Sequence, residues 1–390
     1  MTKPQTTTSN FSPMLLLGTQ MEIGGAQKIL LEQAAWFHHK GLKVFVVFIY
    51  DKVGLEKEWQ EKYPFPVINL RSWKSSGFIG INILRLFLAA IKILRLIFKE
   101  NIKMVETFTN DSNLIGMPLA WLAGVPIRIA NHQGPIARRP LWMANLQALM
   151  VNWRIASHLV VVSQDLQEHV INIDGVKHNR TKIIHNGYSL NLTSELSRAK
   201  FSKELGFGPE KTFYALTVGR LAPQKAHETL IDAIPRVIAV HPEIIFLFAG
   251  DGEKRQALKK QAEELGVTTH LRFLGVRRDI HNIMKICDVM VMSSLWEGFS
   301  LAMLEGMAMG LPVIGTEVVG IKEMLGENIR GLVVPPQNPE ALANAIIQMM
   351  ENDIARDQFG KSGQEYVQER YSMDVMCQKY EEFFSYIENK

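Results

Sequence analysis

The stretch Ser294–Gly306, SLWEGFSLAMLEG, is the most informative part of this chain. The apolar run Val289–Met292 before it predicts a short buried strand, and the residues after Gly298 predict a helix. Glu297 therefore precedes a tight turn, and Glu305 lies inside the helix. The free N–H groups and positive dipole end of a helix N-terminus suit a phosphate or diphosphate. Since a carboxylate beside that site would instead accept hydrogen bonds from hydroxyls, the stretch outlines a site for a nucleotide-sugar.

Short apolar runs bounded by Gly or Pro alternate with helical segments along the chain, which predicts parallel sheets with crossover helices. The predicted strands are Met14–Thr19, Val44–Tyr50, Val67–Leu70, Lys103–Phe108, Ile127–Asn131, His158–Ser163, Lys182–His185, Tyr214–Val218, Ile244–Ala249, Leu271–Phe273, Val289–Met292, Val313–Gly315 and Gly331–Val334. The predicted helices include one that begins at Gly24 and Gly25 and runs to about Lys40, and the segments Phe78–Glu100, Ser112–Ala123 and Val375–Ile387. A polar segment without a strand pattern places a linker at 191–210, between domains 1–190 and 211–371.

Composition excludes several classes of protein. A length of 390 residues with 47% hydrophobic residues suits two globular domains. The two cysteines, Cys287 and Cys377, imply neither a disulfide framework nor a Cys/His metal cluster. The apolar run Met14–Leu17 is too short for a signal peptide core, and no uncharged apolar stretch reaches the roughly 20 residues that span a bilayer. We therefore expect a cytoplasmic protein.

Further motifs follow one another around the Glu297-x7-Glu305 spacing. They are VGRLAPQK at Val218–Lys225, FAGDG at Phe248–Gly252, FLGV at Phe273–Val276, GLPVI at Gly310–Ile314 and GLVVP at Gly331–Pro335. In this order they make the chain resemble the retaining glycosyltransferases of family 4 over about residues 14–385. The resemblance implies the α/β GT-B fold, in which two doubly wound Rossmann-like domains face a cleft. It also implies that the C-terminal helix, within 372–390, packs back on the first domain.

The resemblance implies a catalytic role for four residues. Glu297 would bind the 3- and 4-hydroxyls of the donor sugar, and Arg220 and Lys225 would hold the departing diphosphate. Since that diphosphate gains negative charge, fixed cations stabilise the transition state more than the ground state. Ala226 follows Lys225 where the family often has glycine. His132 would lie over the donor sugar and stabilise it, without acting as a general base.

The remaining predicted residues bind the donor. Glu305 would accept hydrogen bonds from both ribose hydroxyls. The backbone N–H groups of four residues would hold the diphosphate: Gly298, Phe299, Ser300 and Leu301. The glycine loop at Gly24 and Gly25, the loop at Gly250 and Asp251, and the base-binding segment at Val276 complete the set. A solvated helix carboxylate, a helix-capping acid and solvated basic loop residues are the structural alternatives.

No Asp-x-Asp pair occurs in the chain, which fits chemistry without a metal ion, and no cofactor is expected. The cations and helix-end N–H groups would take the place of the metal. No G-x-G-x-x-G fingerprint stands at a strand–helix junction either, which argues against a dehydrogenase.

Charge is unevenly distributed. Residues 1–190 carry 21 Lys and Arg against 12 Asp and Glu, whereas the remainder carries 22 against 27. The basic half suggests an anionic partner, and because no nucleic-acid motif accompanies it we favour a membrane surface or phospholipid-linked acceptor. In residues 78–99, four cations form one stripe on an otherwise apolar helix: Arg85, Lys92, Arg95 and Lys99. Burial between sheet and helices explains this pattern as well as a membrane interface does. The basic and aromatic segment 138–142 favours the interface.

The sequence thus predicts a retaining, metal-independent transferase. Its donor would be a UDP-sugar, with a GDP-sugar as the alternative, and its acceptor a glycan or lipid in the synthesis of cell-surface polysaccharide, lipopolysaccharide or glycolipid. It would work in the cytoplasm, at the inner face of the membrane. A non-catalytic GT-B protein that binds membranes or glycans, a nucleotide-sugar epimerase and a phosphorylase are the rivals. The presence of Arg220, Lys225, Glu297 and Glu305 argues against a non-catalytic protein. The Glu-x7-Glu placement argues against an epimerase. The length and the lack of a pyridoxal lysine motif argue against a phosphorylase.

Overall fold

The computed structural model of this protein describes residues 12–73, 79–133, 140–190, 197–206 and 212–388. The chain divides into two compact units, one of Met1–Gly187 with Met373–Lys390 and one of Tyr188–Ser372. Each unit has its own parallel sheet with helices packed on it. The predicted class, two Rossmann-like α/β domains, is confirmed.

Most strands are short, largely apolar runs of the sequence, because a parallel sheet covered on both faces buries most side chains of its strands. They are β1 (Met14–Met21), β2 (Val44–Asp51), β3 (Val67–Asn69), β4 (Met104–Thr107), β5 (Ile127–His132), β6 (His158–Val161), β7 (Thr181–Ile183), β8 (Phe213–Val218), β9 (Ile244–Ala249), β10 (Leu271–Gly275), β11 (Val289–Met292), β12 (Val313–Thr316) and β13 (Leu332–Val334).

Helices connect these strands. They are α1 (Gly25–His39), α2 (Glu56–Lys62), α3 (Ile79–Glu100), α4 (Asn110–Leu122), α5 (Leu141–Asn152), α6 (Gln164–Asn172), α7 (Arg198–Glu204), α8 (His227–Ile238), α9 (Arg255–Glu264), α10 (Ile280–Ile286), α11 (Leu301–Ala308), α12 (Val319–Leu325), α13 (Pro339–Glu351), α14 (Asp353–Arg370) and α15 (Met373–Glu388). Short 3-10 turns occur at His178–Arg180, Pro223–Lys225 and Thr268–His270.

Both sheets are parallel throughout. Over the described residues the first has the strand order β3-β2-β1-β4-β5-β6-β7, and the second β10-β9-β8-β11-β12-β13. The order reverses between β1 and β4 in the first sheet and between β8 and β11 in the second. In open α/β sheets, ligands bind beyond the carboxyl ends of the strands at such a reversal. The loops after β8 and β11 are therefore where a ligand of the second unit should bind.

Part of the segment predicted as a linker, residues 191–210, is packed structure. Helix α7 lies within it and begins at the cap residue Ser197, whose hydroxyl accepts the N–H of Lys200. Phe201 is buried edge-on against the Tyr214 ring, with the ring centroids 6.0 Å apart. The helix has only two turns and few apolar positions, so composition alone did not distinguish it from a loop.

Helix α3 has far more apolar surface than the first unit covers. The predicted start at Phe78 lies outside the described residues, and the helix is seen from Ile79. Its buried side chains are Asn82, Ala89, Ile93 and Ile97. Large apolar side chains on the outer face are mostly exposed, among them Ile79 (75%) and Phe87 (63%). The interpretation of α3 as a helix buried on all but one stripe is therefore wrong. No helix in the described ranges is both long and apolar enough to cross a membrane.

Gly250, which follows β9, is a position of close backbone approach. Its φ is +146°, and a Cβ there would lie 1.9 Å from the carbonyl oxygen of Gly219. We expect Gly250→Ala to lower the free energy of unfolding by about 3 kcal/mol or more, from strain and overpacking together. Urea titration measures the loss. Gly266→Ala, at φ +67° with no atom within 4 Å of the new Cβ, should cost only about 1 kcal/mol. Equal losses in the two variants would contradict this account.

Candidate active site

Two loops meet at the strand-order reversal of the second sheet. The loop after β8 contains Gln224 and Lys225, and the loop after β11 leads from Ser293 to α11. The Leu295 N–H donates to the Gln224 carbonyl oxygen (2.8 Å), and the Ser293 hydroxyl donates to the Lys225 carbonyl oxygen (2.8 Å). The Gln224 side-chain amide donates to the carbonyl oxygen of Trp296 (3.0 Å). These bonds hold the two loops in one arrangement, although about 70 residues separate them.

An ion pair between Lys225 and Glu297 lies at the centre of these loops. Only 17% of the lysine side chain and 7% of the glutamate side chain are exposed. The Ser294 hydroxyl also donates to Glu297 Oε1, at 3.1 Å. Since an ammonium group has three protons to donate, Lys225 can hold Glu297 and still donate to an anion. The structure thus brings together a predicted diphosphate cation and the predicted sugar-binding carboxylate.

Ala226 takes the position at which the related motif often has glycine. Its φ and ψ are +43° and +45°, in the left-handed helical region, and it caps α8. A non-glycine residue in this conformation costs about 1–2 kcal/mol. Ala226 thus adopts this conformation at that cost, whereas glycine would adopt it freely, which explains why the related motif often has glycine here.

Arg220 and Asp251 do not join the Lys225–Glu297 pair. The Arg220 side chain is exposed, and it forms no ion pair within the part of the chain that the structure describes. The Asp251 carboxylate accepts the N–H of Gly252 (2.8 Å) and a guanidinium N–H of Arg255 (2.7 Å). These two contacts, the backbone N–H first, lower the pKa of Asp251. Asp251 thus caps its own loop, and Arg220 is available to a ligand.

The N-terminus of α11 lies directly after this loop. Ser300 is its N-cap and accepts the N–H of Met303 (3.4 Å). Phe299 is buried, with its ring centroid 5.1 Å from that of Tyr371, and this packing restrains the turn before α11. Gly320 packs so closely that a Cβ there would lie 2.3 Å from the Gly298 carbonyl oxygen. The backbone from Gly298 to Leu301 is therefore fixed at a helix end that suits an anion.

Glu305 lies one turn into α11 and is buried. Its Oε2 is 3.3 Å from Nε2 of His281, on α10, which is buried as well. The sequence analysis did not identify His281, since no local pattern marks a histidine 24 positions before a glutamate. Gln224, Ser293 and Ser294 were also missed as site residues, although they lie within or beside the quoted motifs.

The segment after β10 presents Val276, whose side chain is exposed. The neighbouring Arg277 guanidinium forms a bidentate ion pair with the Asp279 carboxylate (2.8 and 2.7 Å). Its Nη1 lies 3.5 Å from Oε1 of Glu204 on α7. The Arg277 hydrogen bond, the largest influence, lowers the pKa of Asp279. These contacts of Arg277 restrain the segment after β10, which is predicted to face the nucleotide base.

The first unit carries the other predicted residues. Gly24 is the N-cap of α1 and Gly25 its first residue, and two residues separate Gly24 from the end of β1. His132 is the last residue of β5 and is buried. The continuation of its loop at Gly134 lies outside the described residues. These three residues stand at carboxyl ends of strands in the first sheet.

A buried polar network fixes the strand beneath His132. The Asn131 amide donates to Glu106 Oε1 (2.8 Å), and the Tyr380 hydroxyl on α15 donates to Asn131 Oδ1 (2.7 Å). Gln33 on α1 donates to Glu106 Oε2 (2.8 Å). Helices α1 and α15 are thereby tied to strands β4 and β5.

Glu106 makes the stability of the chain depend on pH. Complete burial raises its pKa to about 8, against the lowering effect of the hydrogen bonds from Asn131 and Gln33. Between the ordinary value of 4.5 and about 8, the folded state holds a proton that the unfolded state has lost, so stability falls as pH rises. We expect Glu106→Gln to remove a slope of up to about 1.4 kcal/mol per pH unit. Urea titrations from pH 5 to 8.5 test this, with the exposed Glu61→Gln as control. Parallel pH profiles for wild type and Glu106→Gln would contradict it.

Two family models match this chain. The model described as Glycosyl transferases group 1 matches residues 198–366, and the model described as Glycosyltransferase Family 4 matches residues 23–192. Together the two matches account for most of both units.

Individual relatives agree with these matches. An uncharacterized glycosyltransferase of Methanocaldococcus jannaschii is 31% identical over 228 residues, which are 57% of this chain and 58% of that protein. The Escherichia coli UDP-Gal:alpha-D-GlcNAc-diphosphoundecaprenol alpha-1,3-galactosyltransferase is 26% identical over 283 residues, 70% of this chain and 73% of that one. The chain thus spans little more than half the length of the first relative and about three quarters of the second.

A solved structure confirms the fold. The crystal structure of the Anabaena protein HepE in complex with UDP and glucose superposes with a TM-score of 0.82, at 23% identity, and covers 95% of this chain and 99% of that one. Two parallel Rossmann-like sheets with the motifs at their carboxyl ends, matched by both family models, show that this chain belongs to the family 4 type of GT-B glycosyltransferases.

Proposed function

We propose that this protein is a retaining glycosyltransferase that moves a sugar from a nucleotide-sugar to a glycan or lipid-linked acceptor. The Lys225–Glu297 pair, at the strand-order reversal and beside the N-terminus of α11, carries the proposal. A nucleotide-sugar needs a cation and N–H groups for its diphosphate and a carboxylate for its sugar hydroxyls. All of these groups lie on neighbouring loops of the second unit.

In the proposed reaction, the bond between the anomeric carbon and the diphosphate oxygen breaks, and the acceptor oxygen bonds to the same face of the sugar. The departing diphosphate keeps the electron pair and takes up the acceptor's proton. Lys225, Arg220 and the N–H groups of residues 298–301 oppose the charge that develops on it. Because Glu297 is held by Lys225 and Ser294, we assign it to the sugar hydroxyls rather than to nucleophilic attack. Glu305 would bind the ribose, and His132 the donor sugar.

A UDP-sugar is the proposed donor, with a GDP-sugar as the alternative. The E. coli relative uses UDP-Gal, and HepE binds UDP and glucose. We propose that no metal ion or cofactor takes part, because the Lys225 ammonium and the α11 N-terminus can meet the diphosphate charge themselves.

A thermal-shift panel tests the donor site. UDP, GDP, ADP and their common sugar conjugates are added to the full chain with EDTA present. Binding to the native state raises the melting temperature, so one nucleotide should give a clear shift. Release of sugar from the matching conjugate, followed by product analysis, then tests transfer and retention. A folded sample that responds to no nucleotide would refute the proposed function.

The acceptor is proposed to be a cell-surface glycan or its lipid-linked precursor, met at the inner face of the membrane. The E. coli relative, whose name gives a diphosphoundecaprenol-linked acceptor, supports this class. A surface of the first unit supports a location at the membrane. Helix α4 contacts both α3 and α5, and all three expose large apolar side chains. We refer to the exposed large apolar side chains of these helices, with Trp153 directly after α5, as the three-helix face: Ile79, Ile81, Ile83, Leu84, Phe87, Leu88, Phe98, Trp121, Leu122, Leu141, Trp142, Leu146, Leu149 and Trp153.

The three-helix face fits an anionic lipid surface. It holds three tryptophans, which favour the headgroup region of a bilayer. Lys92 and Arg95 of α3 are exposed and have no acidic partner within the described residues. Cations beside exposed apolar side chains favour anionic headgroups over neutral ones. Arg138 and Arg139 of the segment 138–142 lie outside the described residues, whereas Leu141 and Trp142 belong to the face.

Vesicle sedimentation tests this surface. Vesicles that contain phosphatidylglycerol should bind the protein, and Leu84→Glu with Phe87→Glu should weaken binding about 30-fold or more. Lys92→Glu with Arg95→Glu should reduce binding to anionic vesicles and flatten its salt dependence. Val240→Glu, which changes an exposed apolar residue of the second unit, is the control. Unchanged binding in both double variants would refute the membrane surface.

A further inference from the structure

A groove runs along one side of α3 in the first unit. Its larger cavity, of about 380 Å³, lies where β2 and β3 end, and a smaller one, of about 310 Å³, continues along α3. Asn69, the last residue of β3, lines both cavities. We refer to the two cavities together as the α3 groove. The larger cavity is lined by Tyr50, Asp51, Asn69, Arg71, Trp73 and Arg85.

The α3 groove is positively charged. Its cationic side chains are Arg71, Arg85, Lys92, Arg95 and Lys99. Asp51 is the only acidic residue that lines it, and the Asp51 carboxylate already accepts three backbone N–H groups of its own loop at 2.8–3.1 Å. Arg71 and Lys99 lie 3.1 and 3.8 Å from glutamates outside the groove. The other three cations form no ion pair within the residues that the structure describes. The groove therefore suits an anionic ligand.

Arg71 is held in place and still has hydrogen-bonding capacity. Its φ is +53°, in the left-handed region that few non-glycine residues adopt, and its backbone N–H donates to Asn69 Oδ1 (3.0 Å). Its Nε and Nη2 donate to Glu56 Oε2 (3.3 and 3.1 Å). Its Nη1 makes no hydrogen bond within the described ranges, and 76% of the side chain is exposed. Since a guanidinium carries five N–H groups, Arg71 can hold Glu56 and bind an anion as well.

Arg85 lies where the α3 groove borders the three-helix face. Ile81 and Leu88 are its neighbours one turn before and one turn after it along α3, and Leu84 directly precedes it. All three of these apolar side chains are exposed. An anionic group bound by Arg85 would therefore have apolar surface beside it, which a hydrocarbon chain can cover.

We propose that the α3 groove binds the phosphate or diphosphate group that links the acceptor's sugar to its lipid, with Arg71 and Arg85 as the phosphate ligands. This inference rests on the proposed function, in which the acceptor is lipid-linked. Guanidinium groups donate two parallel hydrogen bonds to phosphate oxygens, and the three-helix face takes the lipid chain. The groove begins where β2 and β3 end, at the edge of the sheet where parallel sheets bind their ligands.

Calorimetry on the full chain tests the groove with farnesyl diphosphate, and farnesol is the matching probe without phosphate. UDP is present at saturating concentration, so that the proposed donor site does not take up the diphosphate. The wild type should bind farnesyl diphosphate roughly tenfold or more tightly than farnesol. Arg71→Gln with Arg85→Gln should weaken binding of farnesyl diphosphate about 30-fold and leave that of farnesol unchanged. Arg236→Gln is the matched control, because Arg236 is an exposed arginine that pairs with a glutamate in the second unit.

A second probe separates the acceptor from the bulk membrane. Dihexanoyl phosphatidylglycerol is a soluble lipid with an anionic headgroup, and it should bind about tenfold more weakly than farnesyl diphosphate, which carries more charge. If it binds as tightly and loses as much affinity in the double variant, the groove holds a membrane headgroup, and the acceptor site is refuted.

The remaining outcomes are distinguishable. A wild type that binds UDP but prefers farnesol, or a double variant with wild-type affinity for farnesyl diphosphate, refutes the phosphate site and leaves the donor site standing. If the double variant does not fold, Arg71→Gln alone serves, since that side chain is mostly exposed. It should lose about fivefold in affinity, and an unchanged affinity refutes the site. Failure of the wild type to bind any nucleotide refutes the proposed function, and with it the acceptor role of the groove.

Discussion

Replacement of Lys225 by alanine should lower the rate of sugar transfer by about 10³-fold or more while the chain stays folded. The ammonium group is mostly buried, paired with Glu297 and adjacent to the N-terminus of α11. Solvent screens a buried ammonium less than an exposed one, so Lys225 should stabilise the charge on a departing diphosphate strongly. Loss of one such preorganised donor typically lowers the rate 10²–10³-fold. The loss should be larger here because Glu297 is left without its cation, and its charge then opposes that of the diphosphate.

The measurement is single-turnover transfer at saturating donor, which separates the chemical step from binding. Lys260→Ala is the matched control, because it removes an exposed lysine from a lysine–glutamate pair on α9 in the same unit. A double-mutant cycle with Glu297→Gln should show strong non-additivity, since the two groups act as a pair. Near-normal transfer by Lys225→Ala would remove Lys225 from the catalytic set.

The second large effect is expected from Glu305→Gln, which should weaken UDP binding about 10²-fold. Hydrogen bonds to a charged partner contribute about 1.5–3 kcal/mol each, and the isosteric amide replaces one acceptor oxygen by a donor. Because Glu305 is proposed to touch only the ribose, the loss should appear in the donor dissociation constant more than in the rate of the chemical step.

Calorimetry with UDP measures the affinity, and circular dichroism confirms the fold. Glu264→Gln is the control, since Glu264 is the exposed partner of Lys260 on α9. If Glu305→Gln binds UDP as tightly as the wild type, the buried Glu305 carboxylate has a structural role, and the ribose site must lie elsewhere.

The strands were the most predictable part of the fold. Ile244–Ala249 and Val289–Met292 were predicted with the bounds that the structure shows, because strands buried on both faces are continuous apolar runs between Gly and Pro signals. Leu271–Gly275 extends two residues beyond the prediction. Helix α7 was predicted to be part of a linker. Its two turns bury only one large side chain, so its hydrophobic periodicity is too weak to predict a helix.

The candidate site was predictable in part. The motif order indicated Glu297, Glu305, Lys225 and the turn at Gly298 as candidates, because each of them lies in a short motif that follows a predicted strand. Asp251 lies in a quoted motif, and only the structure showed that its carboxylate accepts hydrogen bonds from Gly252 and Arg255.

The sequence by itself determined the class of the two sheets, the strand ends at which the motifs lie and the family to which they belong. The sheet class, the strand ends and the family can be read from hydrophobic periodicity and short motifs, because both depend only on residues near one another in the sequence. Only the tertiary structure showed that Lys225 meets Glu297, that His281 meets Glu305 and that α3 exposes its apolar side. The strand order brings distant loops together, and whether an apolar side chain is buried depends on which elements of the fold pack over it.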